Sequence, residues 1–146
     1  MDSISKQFEI KEDRRLSTLI IADSGFIRDG LNTLLVTLPT VEVVGLATME
    51  TSGLELSKEL HPDVILVDCT AANNKGLDFI RQVKAESVEA KIVIIAESYP
   101  DGKTARELGI ERVLLNGYSN RDLQHTFKRL IENDRSWMRR SEAKEI

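Results

Sequence analysis

The chain predicts an α/β fold, a three-layer sandwich in which a five-stranded parallel sheet lies between helices. Three observations carry that reading. Short β-branched runs alternate with longer amphipathic stretches, five times over between Leu16 and Glu132, which is the signature of βαβ units. Two of the runs, Val64-Ile-Leu-Val67 and Ile92 to Ala96, are apolar at every position, as parallel strands covered by helices on both faces must be. The 146 residues, 41% hydrophobic and 30% charged, have the length and composition of one globular domain.

The elements follow in order. Thr18 to Ala22 reads as the first strand, and after it Ile27, Leu31, Leu34, Leu35 and Leu38 share one face of a helix that Pro39 stops. Val41 to Ala47 is the second strand. Ser52 to Leu60 reads as a helix with Leu56 and Leu60 one turn apart, closed by His61-Pro62. The third strand, Val64 to Val67, runs into Asp68. Leu77, Ile80 and Val83 mark the third helix, Ile92 to Ala96 the fourth strand, and Thr104 to Leu108 a short fourth helix ended by Gly109. Val113 to Leu115 is the fifth strand, and Ser119 caps a last helix whose Leu123, Phe127, Leu130 and Ile131 form a core stripe.

This divides the chain into a flexible polar leader (1–15), a domain (16–133) and a tail (134–146). The tail carries Arg135, Trp137, Arg139 and Arg140 beside Glu142 and Glu145 without a sustained apolar period, so it either extends the last helix or frays, and its cations read as a solvated end.

Charge and composition exclude several functions. Lys and Arg number 20 against 24 Asp and Glu, a net charge of -4, so direct nucleic-acid binding is not expected. No apolar stretch approaches the ~20 residues of a membrane span, and the charged leader is no secretory signal. Cys69, the single cysteine, reads as a packed thiol in a reducing cytoplasm.

In an open parallel sheet, ligands gather at the carboxyl ends of the strands. The residues found there are Asp23, Asp68, Ala96 and Asn116, so two carboxylates converge on one crevice. Carboxylates within ~4 Å repel unless a cation lies between them, and hard oxygen ligands suit Mg²⁺. An aspartate at a strand end is also an ordinary turn or cap residue, but Cys69 to Lys75 has the look of a long functional loop. Ser24-Gly25 could cradle a phosphate on backbone N–H groups, although no longer Gly/Ser/Thr loop supports it. Neither His61 nor His125 has a second ligand at metal-binding spacing.

The run Leu19-Ile-Ile-Ala-Asp-Ser-Gly-Phe-Ile-Arg-Asp-Gly-Leu31, then Val41-Glu-Val-Val-Gly-Leu-Ala47, His61-Pro-Asp-Val-Ile-Leu-Val-Asp68 and Gly76-Leu77, resembles the receiver domains of two-component response regulators over about residues 16 to 133. The resemblance implies a flavodoxin-like sheet of order 2-1-3-4-5 and a signalling module rather than an enzyme. It further implies Asp68 as phosphoacceptor from a sensor histidine kinase or other signalling protein, with Mg²⁺ held by Asp23, Asp68 and the Thr70 backbone carbonyl. A homodimer through the fourth helix, fifth strand and fifth helix, near Ala105, Arg112 and Gln124, is also implied. Family members commonly carry a DNA-binding domain of ~60 residues after the receiver; nothing of that kind follows here, so output is expected through protein contacts, or the chain is a fragment.

Four positions depart from the family pattern. Ser24 replaces the second acid, so Mg²⁺ binding is expected to be weak. Ala96 replaces the hydroxyl residue that hydrogen-bonds the phosphoryl group. Asn116 replaces a lysine and supplies no point charge, a loss comparable to that of a transition-state cation worth about 10³-fold or more. Val113 replaces the aromatic residue that rotates on activation. These departures describe an atypical receiver, with a phosphorylation-independent interaction module as the alternative.

Overall fold

The computed structural model describes residues 15–71 and 73–134. The leader, apart from Arg15, and the tail residues Arg135, Trp137, Arg139 and Arg140 lie outside the described residues.

Among the described residues, strands and helices alternate throughout: β1 (Leu16–Ile21), α1 (Gly25–Leu35), β2 (Val41–Ala47), α2 (Thr51–Leu60), β3 (Val64–Cys69), α3 (Lys75–Ala85), β4 (Lys91–Ala96), α4 (Gly102–Glu107), β5 (Ile110–Leu115) and α5 (Asn120–Asp134). The strands pair in parallel in the order β2-β1-β3-β4-β5. The sheet therefore reverses direction of growth beside β1 and β3, the place where a doubly wound sheet opens its crevice.

Side chains of a strand alternate between faces, and the core divides accordingly. Leu16, Ile20, Val64, Leu66, Val93, Ile95 and Leu114 pack with Leu31 and Leu35 of α1 and Leu123, Phe127 and Leu130 of α5. Leu19, Ile21, Ile65, Val67, Ile92 and Ile94 pack on the other face with Phe79, Ile80 and Val83 of α3. Both faces of the central strands are buried, which is why those runs are apolar throughout.

Several boundaries differ from the sequence reading. α1 ends at Leu35, and Leu38 is buried from the turn that follows, where its N–H bonds to the Leu35 carbonyl. α4 begins at Gly102 because Asp101 caps it, accepting the Thr104 N–H at 2.7 Å; this cap precedes any apolar periodicity and so leaves no hydrophobic stripe to mark the start of the helix. β5 starts three residues earlier than expected, at Ile110.

α2 docks differently from its apolar pattern. Leu60 stays 37% exposed, whereas Gly53 and Ser57 are buried. A Cβ on Gly53 would lie 2.1 Å from the Thr48 carbonyl oxygen, so only glycine permits this approach. Ser57 fits in the same seam because its hydroxyl donates to the Gly53 carbonyl at 2.8 Å, which satisfies a buried polar group within its own helix.

Candidate functional site

Asp68 lies on β3 opposite Ile95 of β4, one residue before the strand ends at Cys69. It is 7% exposed, one of few polar residues buried in the sheet. Thr70 fixes its orientation: the backbone N–H and the hydroxyl of Thr70 both donate to Asp68 Oδ1, at 3.1 and 2.7 Å.

Asp23 follows β1 by two residues and joins Asp68, Ser24, Met49, Thr70 and Lys75 around one cleft of about 380 Å³. The expected convergence of the two acids therefore holds. Both Asp23 oxygens have donors: the Met49 N–H reaches Oδ1 at 2.9 Å, and the Lys75 ammonium reaches Oδ2 at 2.8 Å. The Lys75 hydrogen bond, then the Met49 N–H, and the charges of Lys75 and Arg28 hold the Asp23 carboxyl below the ordinary range. The same carboxylate raises the Lys75 ammonium. Arg28 turns back from α1 to donate to the Ala22 carbonyl at 2.8 Å and so braces the β1–α1 turn.

The four departures take definite places. Ser24 is the N-cap of α1, its hydroxyl accepting the Ile27 N–H at 3.3 Å; this is a capping role. Ala96 is buried at the end of β4, and its carbonyl accepts the Asn116 N–H at 2.8 Å. The Asn116 side-chain amide donates to Glu97 Oε1 at 2.8 Å. Val113 is half-buried on β5 and lines a shallow pocket with Tyr99, Tyr118 and His125.

A second hollow on the other side of Asp68 is lined by Phe26, Ile27 and Leu34 of α1 with Asn116 and Tyr118. Phe26 is 90% exposed. Burial, then the Asp68 charge, raises the Tyr118 hydroxyl. Burial, then the same carboxylate, pushes the Cys69 thiol up to about 12, which disfavours the thiolate that a nucleophile needs.

Lys75, Met49, Glu97 and Tyr118 were not singled out from sequence. For Lys75 a signal existed, since it closes the loop that follows Asp68; for the others, a residue's neighbours across the sheet edge leave no local trace. His61 terminates α2 in a left-handed conformation (φ 45°), and His125 lies beside the Arg129 side chain. Among the described residues no group of three or more His, Cys, Asp or Glu is placed to hold a metal, and no helix is long and apolar enough to cross a membrane.

Known proteins resemble the chain in sequence and in fold. The sequence profile of the response regulator receiver domain matches residues 18–128. The nitrate/nitrite response regulator protein NarL of Escherichia coli K12 is 32% identical over 107 residues, covering 72% of this chain and 50% of that protein. The transcriptional regulatory protein LiaR of Bacillus subtilis is 33% identical over 88 residues, 60% of this chain and 42% of its own length. The chain thus spans about half the length of the curated relatives it matches.

Solved structures share the fold. A LuxR-family two-component response regulator from Aurantimonas superposes with a TM-score of 0.70 at 19% identity, covering 82% of this chain and 86% of that one. The response regulator domain of Thermotoga maritima CheB gives 0.61 at 21% identity over 87% and 96%. On the strength of the profile match over most of its length, the chain belongs to the response regulator receiver domain family of two-component signalling.

Proposed function

We propose that the chain receives a phosphoryl group on Asp68 from a sensor histidine kinase, or from another signalling protein, and passes the signal on by protein contacts. Receiver domains act with histidine kinases and hold Mg²⁺ at the phosphorylation site; the assignment to this chain rests on one observation. Asp68 is a buried carboxylate at the carboxyl end of the central strand, clamped through one oxygen by Thr70 and lining two clefts that open on either side of it.

In the proposed step a carboxylate oxygen of Asp68 attacks phosphorus, the phosphorus–nitrogen bond of the phosphohistidine breaks, and the imidazole leaves with the electron pair. Carboxylates serve as nucleophiles of this kind. Such transfer depends on positioning and neutralisation of charge. Thr70 supplies the positioning by holding Oδ1. Lys75 supplies one positive charge inside the cleft, while Asn116, bonded to Glu97, supplies none. A divalent cation, when bound, adds neutralisation of the phosphoryl oxygens; Asp23, Asp68 and the Thr70 carbonyl are the groups left to hold it, weakly, since one acid of the usual pair is Ser24. The chain works on this reading as a switch component rather than an enzyme, in the reducing cytoplasm that suits its free thiol. A homodimer through α4, β5 and α5, near Ala105, Arg112 and Gln124, goes with it, and light scattering that finds only monomer at high concentration removes that part.

A second reading has its own support. The Asn116–Glu97 bond and the methyl group of Ala96 leave the cleft without two of the family's phosphoryl contacts, which favours a phosphorylation-independent module. Intact-protein mass after incubation with acetyl phosphate and Mg²⁺, beside Asp68→Ala, separates the two. A hydroxylamine-labile gain of one phosphoryl mass, absent in the variant, supports the switch; no gain supports the module.

A further inference from the structure

Lys75 opens α3, yet its side chain reaches back 52 residues to Asp23 and holds Oδ2 at 2.8 Å. Oδ1 of the same aspartate takes the Met49 N–H. Both oxygens of one of the two acids in the cleft therefore already bond to donors. An ammonium held at 2.8 Å on Asp23 Oδ2 competes with a divalent cation for that carboxylate, because two cations drawn to one oxygen repel each other at such short range.

Ser24 is occupied as a helix cap, Glu50, whose charge also acts on Lys75, does not line the cleft, and the described residues include no cluster of three metal-ligating side chains. In the cleft, two carboxylates face one built-in ammonium. The Lys75–Asp23 pair is open to solvent, with side chains 54% and 38% exposed. Pairs of this kind contribute little to folding, so an interior structural role does not account for it, and Lys75 can be replaced without unfolding the chain.

We propose that Lys75 is the resident counter-ion of the acidic cleft, occupying on Asp23 the place a divalent cation would take, so that metal binds only by displacing its ammonium. The charge that the position of Asn116 no longer supplies from β5 is thus supplied from the opposite wall, by the start of α3. The cleft is partly neutralised before any metal or phosphoryl group arrives. This inference deepens the phosphoacceptor reading of the same cleft, but it concerns a binding equilibrium that needs no phosphoryl donor.

The test is a titration of the full chain with Mn²⁺, free ion being read by electron paramagnetic resonance at fixed ionic strength. Lys75→Gln should bind Mn²⁺ roughly tenfold more tightly than wild type, the combined loss of a competing contact and of a repelling charge. Lys75→Arg, which keeps the cation, should stay near wild type. Adding Asp23→Asn to Lys75→Gln should abolish the gain. Lys58→Gln makes the same charge change at an ammonium that pairs with Glu86 from the last turn of α2, and should leave affinity unchanged. Equal affinities of wild type and Lys75→Gln overturn the proposal, as does an equal gain in Lys58→Gln or a gain that survives Asp23→Asn. If Lys75→Gln tightens Mn²⁺ binding in this pattern while neither protein gains a phosphoryl mass from acetyl phosphate, the counter-ion role stands and the phosphoacceptor reading falls.

Discussion

Gly76→Ala probes how closely α3 is seated on the end of β3, the contact that brings Lys75 to the cleft. Gly76 is buried in the first turn of α3, and a Cβ there would lie 2.4 Å from Cys69 Sγ, 3.2 Å from its Cβ and 3.3 Å from its Cα. Non-bonded heavy atoms settle near 3.5–4 Å, so the thiol must leave or the helix must lift. Without that overlap the substitution would stabilise, because alanine is favoured over glycine in a helix by about 1 kcal/mol. Overpacking costs about 1–3 kcal/mol. An overlap exceeding 1 Å against a thiol on the last residue of β3 belongs at the upper end, which leaves a net loss of about 2 kcal/mol. Cys69→Ala removes the sulfur and by itself costs about 1 kcal/mol of lost burial. In the double variant the remaining contacts are the 3.2 and 3.3 Å ones, which small shifts relieve. Gly76→Ala/Cys69→Ala should then be no less stable than Gly76→Ala alone, with a coupling of at least about 1 kcal/mol. Urea unfolding of the four proteins, compared at a common slope, measures this. Additivity within about 0.5 kcal/mol would refute the argument, for it would mean that α3 does not rest on Cys69.

Asp23, whose carboxyl is held low by Lys75 and Met49, contributes stability that is complete above the unfolded value near 3.9 and is lost as pH falls through the lower folded value. The stability difference between wild type and Asp23→Asn should therefore be level above about pH 5 and shrink below about pH 4; denaturant titrations that show it growing on acidification contradict the pairing. Asn116→Lys restores an ammonium at the end of β5, but Glu97, which now takes the Asn116 amide, would capture it. Adding Glu97→Gln should raise the rate of acyl phosphate formation a further ~5-fold, the equivalent of an exposed ion pair of about 1 kcal/mol, and identical rates in the single and double variants would count against that competition. The Cys69 thiol, pushed up to about 12, should react with iodoacetamide at pH 8 about 10³-fold more slowly in the folded chain than in urea, from the difference in thiolate fraction; comparable rates would show that the thiol is not desolvated.

Much of the fold was legible in the sequence because parallel strands and the helices that cover them obey two short periods. Strands buried on both faces must be apolar throughout, so Val64 to Val67 and Ile92 to Ala96 announced the sheet centre, and the runs Thr18 to Ala22 and Val64 to Val67 placed Asp23 and Asp68 at the strand ends where ligands gather. Elements held by small or polar residues were less legible. α2 is anchored through Gly53 and Ser57, and α4 is set by the Asp101 cap; neither device produces a hydrophobic stripe.

By itself, then, the sequence determined the order of elements, the two-sided core and the carboxylate at the end of β3, because each follows from local period and residue type. Only the tertiary structure decided which groups meet at the crevice. Lys75 reaches Asp23 across 52 residues, and the Asn116 amide finds its partner in Glu97. The reason is geometric: parallel crossovers deliver loops from distant parts of the chain to one edge of the sheet, and the partner a side chain finds there depends on which loops share that edge, which no local pattern records.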